Sequence, residues 1–280
     1  MEYNNKKLLE LEEIAKKIRV DAIKLTYSMG NTGAHIGGGM SLAEIMAVLY
    51  CGIMKINPDD MSDEKRDRLI FSKGHGTLAL YPAMRYAGLI TEEELYTYKK
   101  NETFLYAHPS MYQEKGIEFS SGSLGQGLSL GVGSCLGLKR KGNAESKVYV
   151  ILGDGECNEG SIWEAAQSAA HFHCDQLVAI VDKNRLQYDG TTRDIMDEIS
   201  LKNKWESFGW KAIEVNGHNV SELYTALSTQ ADKPLVIIAN TIKGKGVSFM
   251  ENNPLWHNHS LTEQQYKDAL VELGYEEVTI

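Results

Sequence analysis

No run in this 280-residue chain approaches the roughly 18 consecutive apolar residues of a membrane span, so no membrane-crossing helix is expected. The start, Met1-Glu2-Tyr3-Asn4-Asn5-Lys6-Lys7, leads into a charged segment and lacks the apolar centre of a secretion signal. Basic residues are the minority, 29 Lys and Arg against 38 Asp and Glu, for a net charge of −9. A nucleic-acid binder needs a basic face to displace counterions, so that class is set aside. The four cysteines (Cys51, Cys135, Cys157 and Cys174) show no paired spacing, which reads as reduced thiols in a cytoplasmic protein. Pro/Ser-rich linkers, internal repeats and low-complexity tracts are missing too, so residues 1–280 are read as one domain, long enough for a substantial core. No Gly-x-Gly-x-x-Gly follows a strand and no Walker A loop occurs, which argues against a nicotinamide-binding module.

What is present is an alternation of helical and strand patterns. Leu8, Leu11, Ile14, Ile18 and Leu25 recur at helical spacing up to Gly30, a natural helix end. Ser41 with Glu44, Thr91 with Glu94 and Thr262 with Gln265 have the spacing of capping boxes, the first predicting a helix to about Ile53. Apolar runs at Arg68–Ser72, Lys147–Leu152, Gln176–Asp182, Lys211–Val215 and Pro234–Thr241 predict strands. Strands alternating with helices imply an α/β fold, an open, mostly parallel sheet with helices on both faces.

The most informative segment is Gly153-Asp154-Gly155-Glu156-Cys157-Asn158-Glu159-Gly160, directly after one predicted strand, with Asn184 at the end of the next. Ligands of open α/β sheets bind at the carboxyl ends of strands, where this pattern delivers an Asp and an Asn. Their oxygens suit a hard cation, and a following helix amino terminus suits a phosphate. Gly-Asp-Gly alone is a common turn; the flanking strands and the later Asn make it specific. A second unusual stretch, Gly122–Gly133, is rich in glycine yet apolar. Glycine inside a helix costs about 1 kcal/mol against alanine. Either a close helix contact or a flat ligand lying on backbone would account for it, and a site between subunits would combine both.

Five histidines, His35, His75, His108, His218 and His257, lie in glycine-rich or turn-like settings rather than on helix faces. Imidazole there can donate to sugar or phosphate oxygens and move protons near neutral pH. His218 follows a turn pair and is left without a role. The alternative is zinc, for which His171-Phe172-His173-Cys174-Asp175 is the best candidate. Residues two apart diverge on a helix, and no second cluster has zinc spacing.

Taken in order, Gly33–Gly37, Asp67–Gly76, His108-Pro109, Ser121–Gly127, Gly153 through Leu186, Ile242–Gly246 and Trp256-His257 resemble the amino-terminal, diphosphate-binding half of the transketolase family, from near Lys7 to near Leu273. The resemblance implies thiamine diphosphate as cofactor, with Mg²⁺ (or Ca²⁺) held by Asp154, Asn184 and the Leu186 carbonyl. It implies that His75, Gly155, Lys243 and His257 meet the phosphate end, and that Gly122, Ser123 and Leu124 line the thiazolium ring. It places His35, His108 and His257 against a bound sugar as catalytic residues, and Glu159 near the cofactor at the partner subunit. Two departures stand out. Ser123 replaces the family's usual proline, which matters little where backbone makes the contact. Ala34-His35-Ile36 replaces Gly-His-Pro, which alters the wall of the sugar pocket.

A full transketolase is more than twice as long. The resemblance therefore implies that the pyrimidine-binding domain, with the glutamate that activates the cofactor, and the carboxy-terminal domain come from a separate subunit. The expected function is the amino-terminal subunit of a split transketolase, moving a two-carbon ketol unit between sugars or sugar phosphates. The expected assembly is a heterotetramer, or a homodimer when alone. The rivals are the α subunit of a 2-oxoacid dehydrogenase, whose family lacks the His75, His108 and His257 blocks, and a non-catalytic cofactor-binding protein.

Overall fold

The computed structural model describes residues 2–197 and 200–275. Its elements run α1 (Glu2–Ser28), α2 (Ile36–Ser41), α3 (Ala43–Val48), β1 (Arg68–Phe71), α4 (Thr77–Tyr86), α5 (Glu92–Leu95), α6 (Gly127–Arg140), β2 (Val148–Gly153), α7 (Gly160–His171), β3 (Leu177–Lys183), α8 (Thr192–Met196), α9 (Leu201–Ser207), β4 (Lys211–Asn216), α10 (Val220–Leu227), β5 (Leu235–Asn240) and α11 (Glu263–Glu272). The five strands form one sheet in the order β1-β2-β3-β5-β4, with every neighbouring pair parallel. Each predicted strand is present within a residue or two of its expected ends. None of the described helices is long and apolar enough to cross a membrane.

The continuous apolar runs have the physical consequence expected of parallel strands, which are buried on both sides. All six residues of β2 and the first six of β3 are buried. Alternate side chains feed two cores. Tyr149, Ile151, Val178, Ile180 and Ile237 join the core shared with α1–α4, α10 and α11. Val148, Val150, Leu152, Ala179, Val181 and Val236 join the one shared with α6, α7 and α9. In α7 the buried Ile162, Ala165, Ala166 and Ala169 repeat at helical spacing, giving the narrow apolar stripe that lies on the sheet.

The capping boxes at Thr91/Glu94 and Thr262/Gln265 form with both reciprocal hydrogen bonds. The one at Ser41/Glu44 does not. Ser41 ends α2 and donates to Asp182 Oδ2 at 2.7 Å. Glu44 accepts from Arg19 Nη2 at 2.6 Å and faces His218 Nδ1 at 3.0 Å. Buried charged partners outbid a cap. The helix expected to about Ile53 ends as α3 at Val48 and continues as one wider, π-type turn over Leu49–Ile53. The glycine-rich stretch is also corrected in part. Gly122–Gln126 is a loop and the helix starts at Gly127. A Cβ on Gly131 would lie 2.7 Å from Val150 Cγ2 and 3.1 Å from Leu177 Cδ1, so this glycine lets α6 settle on the sheet within the chain. Gly133 meets nothing within 4 Å and faces outward.

Candidate functional site

The carboxyl ends of β1, β2, β3 and β5 converge, and four short segments carry the site: Ser72–Gly76, Gly153–Glu159, Asn184–Tyr188 and Thr241–Lys243. Under them lies Asp182, wholly buried, which forms an ion pair with Lys73 and accepts hydrogen bonds from Ser41, Thr241 and Asn184 Nδ2. Burial alone would push its carboxyl up, but the Lys73 charge and these donors hold it below the usual carboxylate range. Sequence reading gave neither Lys73 nor Asp182 a role; their only signal was a Lys and an Asp inside blocks otherwise apolar or glycine-rich.

On that base sits a cavity of about 260 Å³. Of the residues expected to bind cofactor or metal, His75, Leu124, Asp154, Gly155, Glu159, Asn184, Leu186, Lys243 and His257 all line it. Asp154 accepts from the backbone N–H of Gly155 at 2.9 Å and of Arg185 at 2.5 Å. Burial, reinforced by the charge of Asp182, raises its carboxyl to about 6. Asn184 is aimed by its amide, Nδ2 donating to Asp182 at 3.2 Å and Oδ1 accepting from the Leu186 N–H at 3.1 Å. Lys243 Nζ donates to the Leu186 carbonyl at 3.1 Å and to His257 Nδ1 at 2.9 Å. Its ammonium is lowered to about 8 by burial first, then by the charge of Lys73. A cation beside hard oxygens shows the electrostatic character of the place. Gln187 and Tyr188, not singled out in the sequence, also line the cavity, and Gln187 Nε2 is buried without a hydrogen-bond partner. A Cβ on Gly155 would come within 2.7 Å of the Gln187 side chain, which would have to move to admit one.

The expected catalytic histidines form a cluster at the cavity mouth. Ring centroids lie 5.4 Å apart for His35 and His108, 5.5 Å for His35 and His257, and 5.2 Å for His75 and His257. His35 and His108 stand beside the cavity rather than in its lining. Gly122 is tucked under His108, its would-be Cβ 3.5 Å from the His108 ring, and Ser123 is exposed outside the lining. Burial, aided by neighbouring charges, lowers His35 to about 4 and His257 to about 3, and holds His75 well below the usual imidazole range. Burial lowers His108 as well. The surroundings thus favour the neutral imidazole at all four. Because an ammonium can only donate, His257 Nδ1 accepts from Lys243, which leaves its proton on Nε2.

His218 is apart from the cluster. Its Nε2 accepts from the Ile242 N–H at 2.8 Å while Nδ1 faces Glu44, so it braces the segment that carries Lys243. Among the described residues no three His, Cys, Asp or Glu side chains gather as a metal site, which leaves His171, His173 and Cys174 without a zinc role.

Residues 11–279 match the family described as transketolase, thiamine diphosphate binding domain. The 6-deoxy-6-sulfo-D-fructose transketolase subunit SqwG of Clostridium sp. (strain MSTE9) is 41% identical over 273 residues, covering 96% of this chain and 98% of that protein. One of the subunits of apulose-4-phosphate transketolase from Phocaeicola vulgatus is 39% identical, covering 94% of each. Among solved structures, transketolase from Leishmania mexicana superposes with a TM-score of 0.84 at 28% identity, over 95% of this chain and 41% of that one. The chain thus spans less than half of that full-length enzyme but nearly all of the two subunits. Parallel sheet, converging strand ends and family match agree: the chain belongs to the transketolase family, as its thiamine diphosphate binding domain.

Proposed function

We propose that this chain is a single diphosphate-binding domain serving as the amino-terminal subunit of a split transketolase in the cytoplasm. With thiamine diphosphate and Mg²⁺ it moves a two-carbon ketol unit from a ketose to an aldose. The observation that carries the reading is the meeting, in one cleft, of an oxygen trio (Asp154, Asn184 and the Leu186 carbonyl) with a cluster of neutral histidines. The residues fit the groups. One carboxylate, one amide oxygen and one carbonyl are hard donors for Mg²⁺ or Ca²⁺, with a single negative charge that leaves room for a diphosphate to supply the rest. The unpartnered Gln187 Nε2, with Lys243 and His75, offers donors to phosphate oxygens.

Bound there, thiamine diphosphate supplies the carbon nucleophile for cleaving and re-forming the carbon–carbon bond. The chain supplies the surroundings. Neutral His35 and His108 face the sugar hydroxyls as proton acceptors, and His257 Nε2–H faces them as a donor whose tautomer is fixed by Lys243. Glu159 lies where a partner subunit closes the cleft. The partner brings the pyrimidine-binding domain and its activating glutamate, and two copies of each subunit give a twofold heterotetramer. In favour of a separate partner, the two subunit relatives are spanned over 94% or more of their length. Their names concern ketoses with a charged group away from the carbonyl, so an anionic ketose, sulfonated or phosphorylated, is the donor proposed here. The histidine cluster weighs against a 2-oxoacid dehydrogenase.

Co-expression with the product of the adjacent reading frame tests this. Ketol transfer from an anionic ketose to an aldose phosphate is expected only from the mixture, and only with thiamine diphosphate and Mg²⁺. Cofactor retained without turnover by any such mixture would favour a binding protein instead.

A further inference from the structure

The segment Gly122–Leu124 precedes α6, yet nothing in its own sequence gives it a fixed shape. Gly122 and Gly125 have φ of +150° and +83°, and residues 122–124 are exposed. What holds it is the side chain of Glu156, 3% exposed, three residues after Gly153. Its Oε1 accepts the Gly125 N–H at 2.9 Å and the Ser72 hydroxyl, and its Oε2 accepts the Gly153 N–H at 3.0 Å. Ser72 Oγ in turn accepts the Gly127 N–H at 3.1 Å, the first residue of α6. One carboxylate thus joins the end of β1, the turn after β2 and the loop before α6. Ser161 Oγ adds a bond to the Gly125 carbonyl at 2.9 Å.

We propose that Glu156 is a positioning residue, a clasp that sets the Gly122–Leu124 loop at a fixed distance from the Gly153–Gly155 turn. It rests on the reading above, in which the loop receives the ring end of thiamine diphosphate and the turn receives the diphosphate end. A rigid, elongated ligand that touches both needs their separation fixed beforehand, and Glu156 is the side chain bonded to both backbones. Its carboxylate also lines the cavity, with both oxygens engaged by these backbone donors and Ser72.

Glu156→Gln is the probe. An amide has one acceptor oxygen where the carboxylate has two. With that oxygen on the Ser72 hydroxyl and the Gly125 N–H, its NH₂ group faces the Gly153 N–H donor to donor; turned over, it keeps Gly153 and loses Gly125. Either way one of the two backbone bonds is lost and the clasp is open. The expected result has three parts. The ligand-free variant is folded, with a thermal transition near that of the wild type. Its hydrogen exchange rises at the amides of residues 121–127 or of 153–157, whichever bond is lost. Its affinity for thiamine diphosphate with Mg²⁺ falls about tenfold, as is typical when a supporting residue behind a ligand contact is lost. Unchanged exchange at both segments, or a variant that does not fold, would overturn the clasp. So would unchanged cofactor affinity in a variant whose loop or turn has loosened. A wild-type chain that does not bind thiamine diphosphate at all would overturn the functional reading instead, since the exchange comparison needs no ligand.

Discussion

Asp154 is the one anionic oxygen donor in the proposed metal trio, so Asp154→Ala should abolish metal-dependent binding of thiamine diphosphate. Calorimetry with and without Mg²⁺ checks this; an affinity that is still metal-dependent would place the ion elsewhere. The histidines should separate in kinetics of the assembled enzyme. His35→Ala and His108→Ala, both beside the cavity rather than in it, should lower kcat or raise KM for the sugar with cofactor affinity nearly intact. His75→Ala, inside the lining, should weaken the cofactor, and His257→Ala should do both. If all four lose only stability, the cluster is structural. Glu44 sets a pH dependence of a different kind. Burial would raise its carboxyl, but the hydrogen bond with His218 and the charge of Arg19 prevail and lower it from 4.5 to about 2. A depressed carboxyl adds stability that is complete above its unfolded value near 4.5 and is lost as pH falls through about 2. Glu44→Gln should therefore cost about 3 kcal/mol at pH 7, with the gap to wild type closing between pH 4.5 and 2 in denaturant titrations.

Two of the glycines of α6, Gly131 and Gly133, part company in the same way as their surroundings. A leucine at 131 would drive its Cβ into Val150 and Leu177, so Gly131→Leu should destabilise the fold by about 3 kcal/mol or more, visible in thermal unfolding. Gly133→Leu, with nothing within 4 Å, should leave the isolated chain as stable as wild type. Strands and caps that depend on neighbours in sequence were legible beforehand. The apolar runs gave all five strands because a parallel strand buries both faces, and Thr91 and Thr262 cap because their partners sit three residues on. Ser41 and Glu44 have the same spacing, yet Asp182, Arg19 and His218 claim them from far along the chain. The same limit explains the site. Asp154, Asn184 and the histidines stood out by residue type at strand ends. Glu156, Gln187 and Lys73 act through contacts that only the folded chain creates.

At the scale of the whole molecule, the cleft opens beside exposed apolar side chains, Leu124 at 38% and Tyr188 at 70% exposure, the latter edge-on to His257. Apolar surface next to a cofactor cleft suits a partner domain that closes over it. Mixed with the partner subunit, the wild-type chain should give a tetramer by light scattering. Gly133→Leu should weaken that assembly, and a fully assembled, active tetramer in the variant would put the contact on another face. The Asp182 cluster bears on how fast such a complex forms and decays. It ties the ends of β1, β3 and β5 together through the chain's own Lys73, Asn184 and Thr241 side chains. An edge set in advance has little ordering entropy left to lose on association. Cofactor entry should then follow a single kinetic phase at a similar rate with or without the partner. The partner's effect should fall on residence time, because closing the cleft slows only the departure of what is already seated.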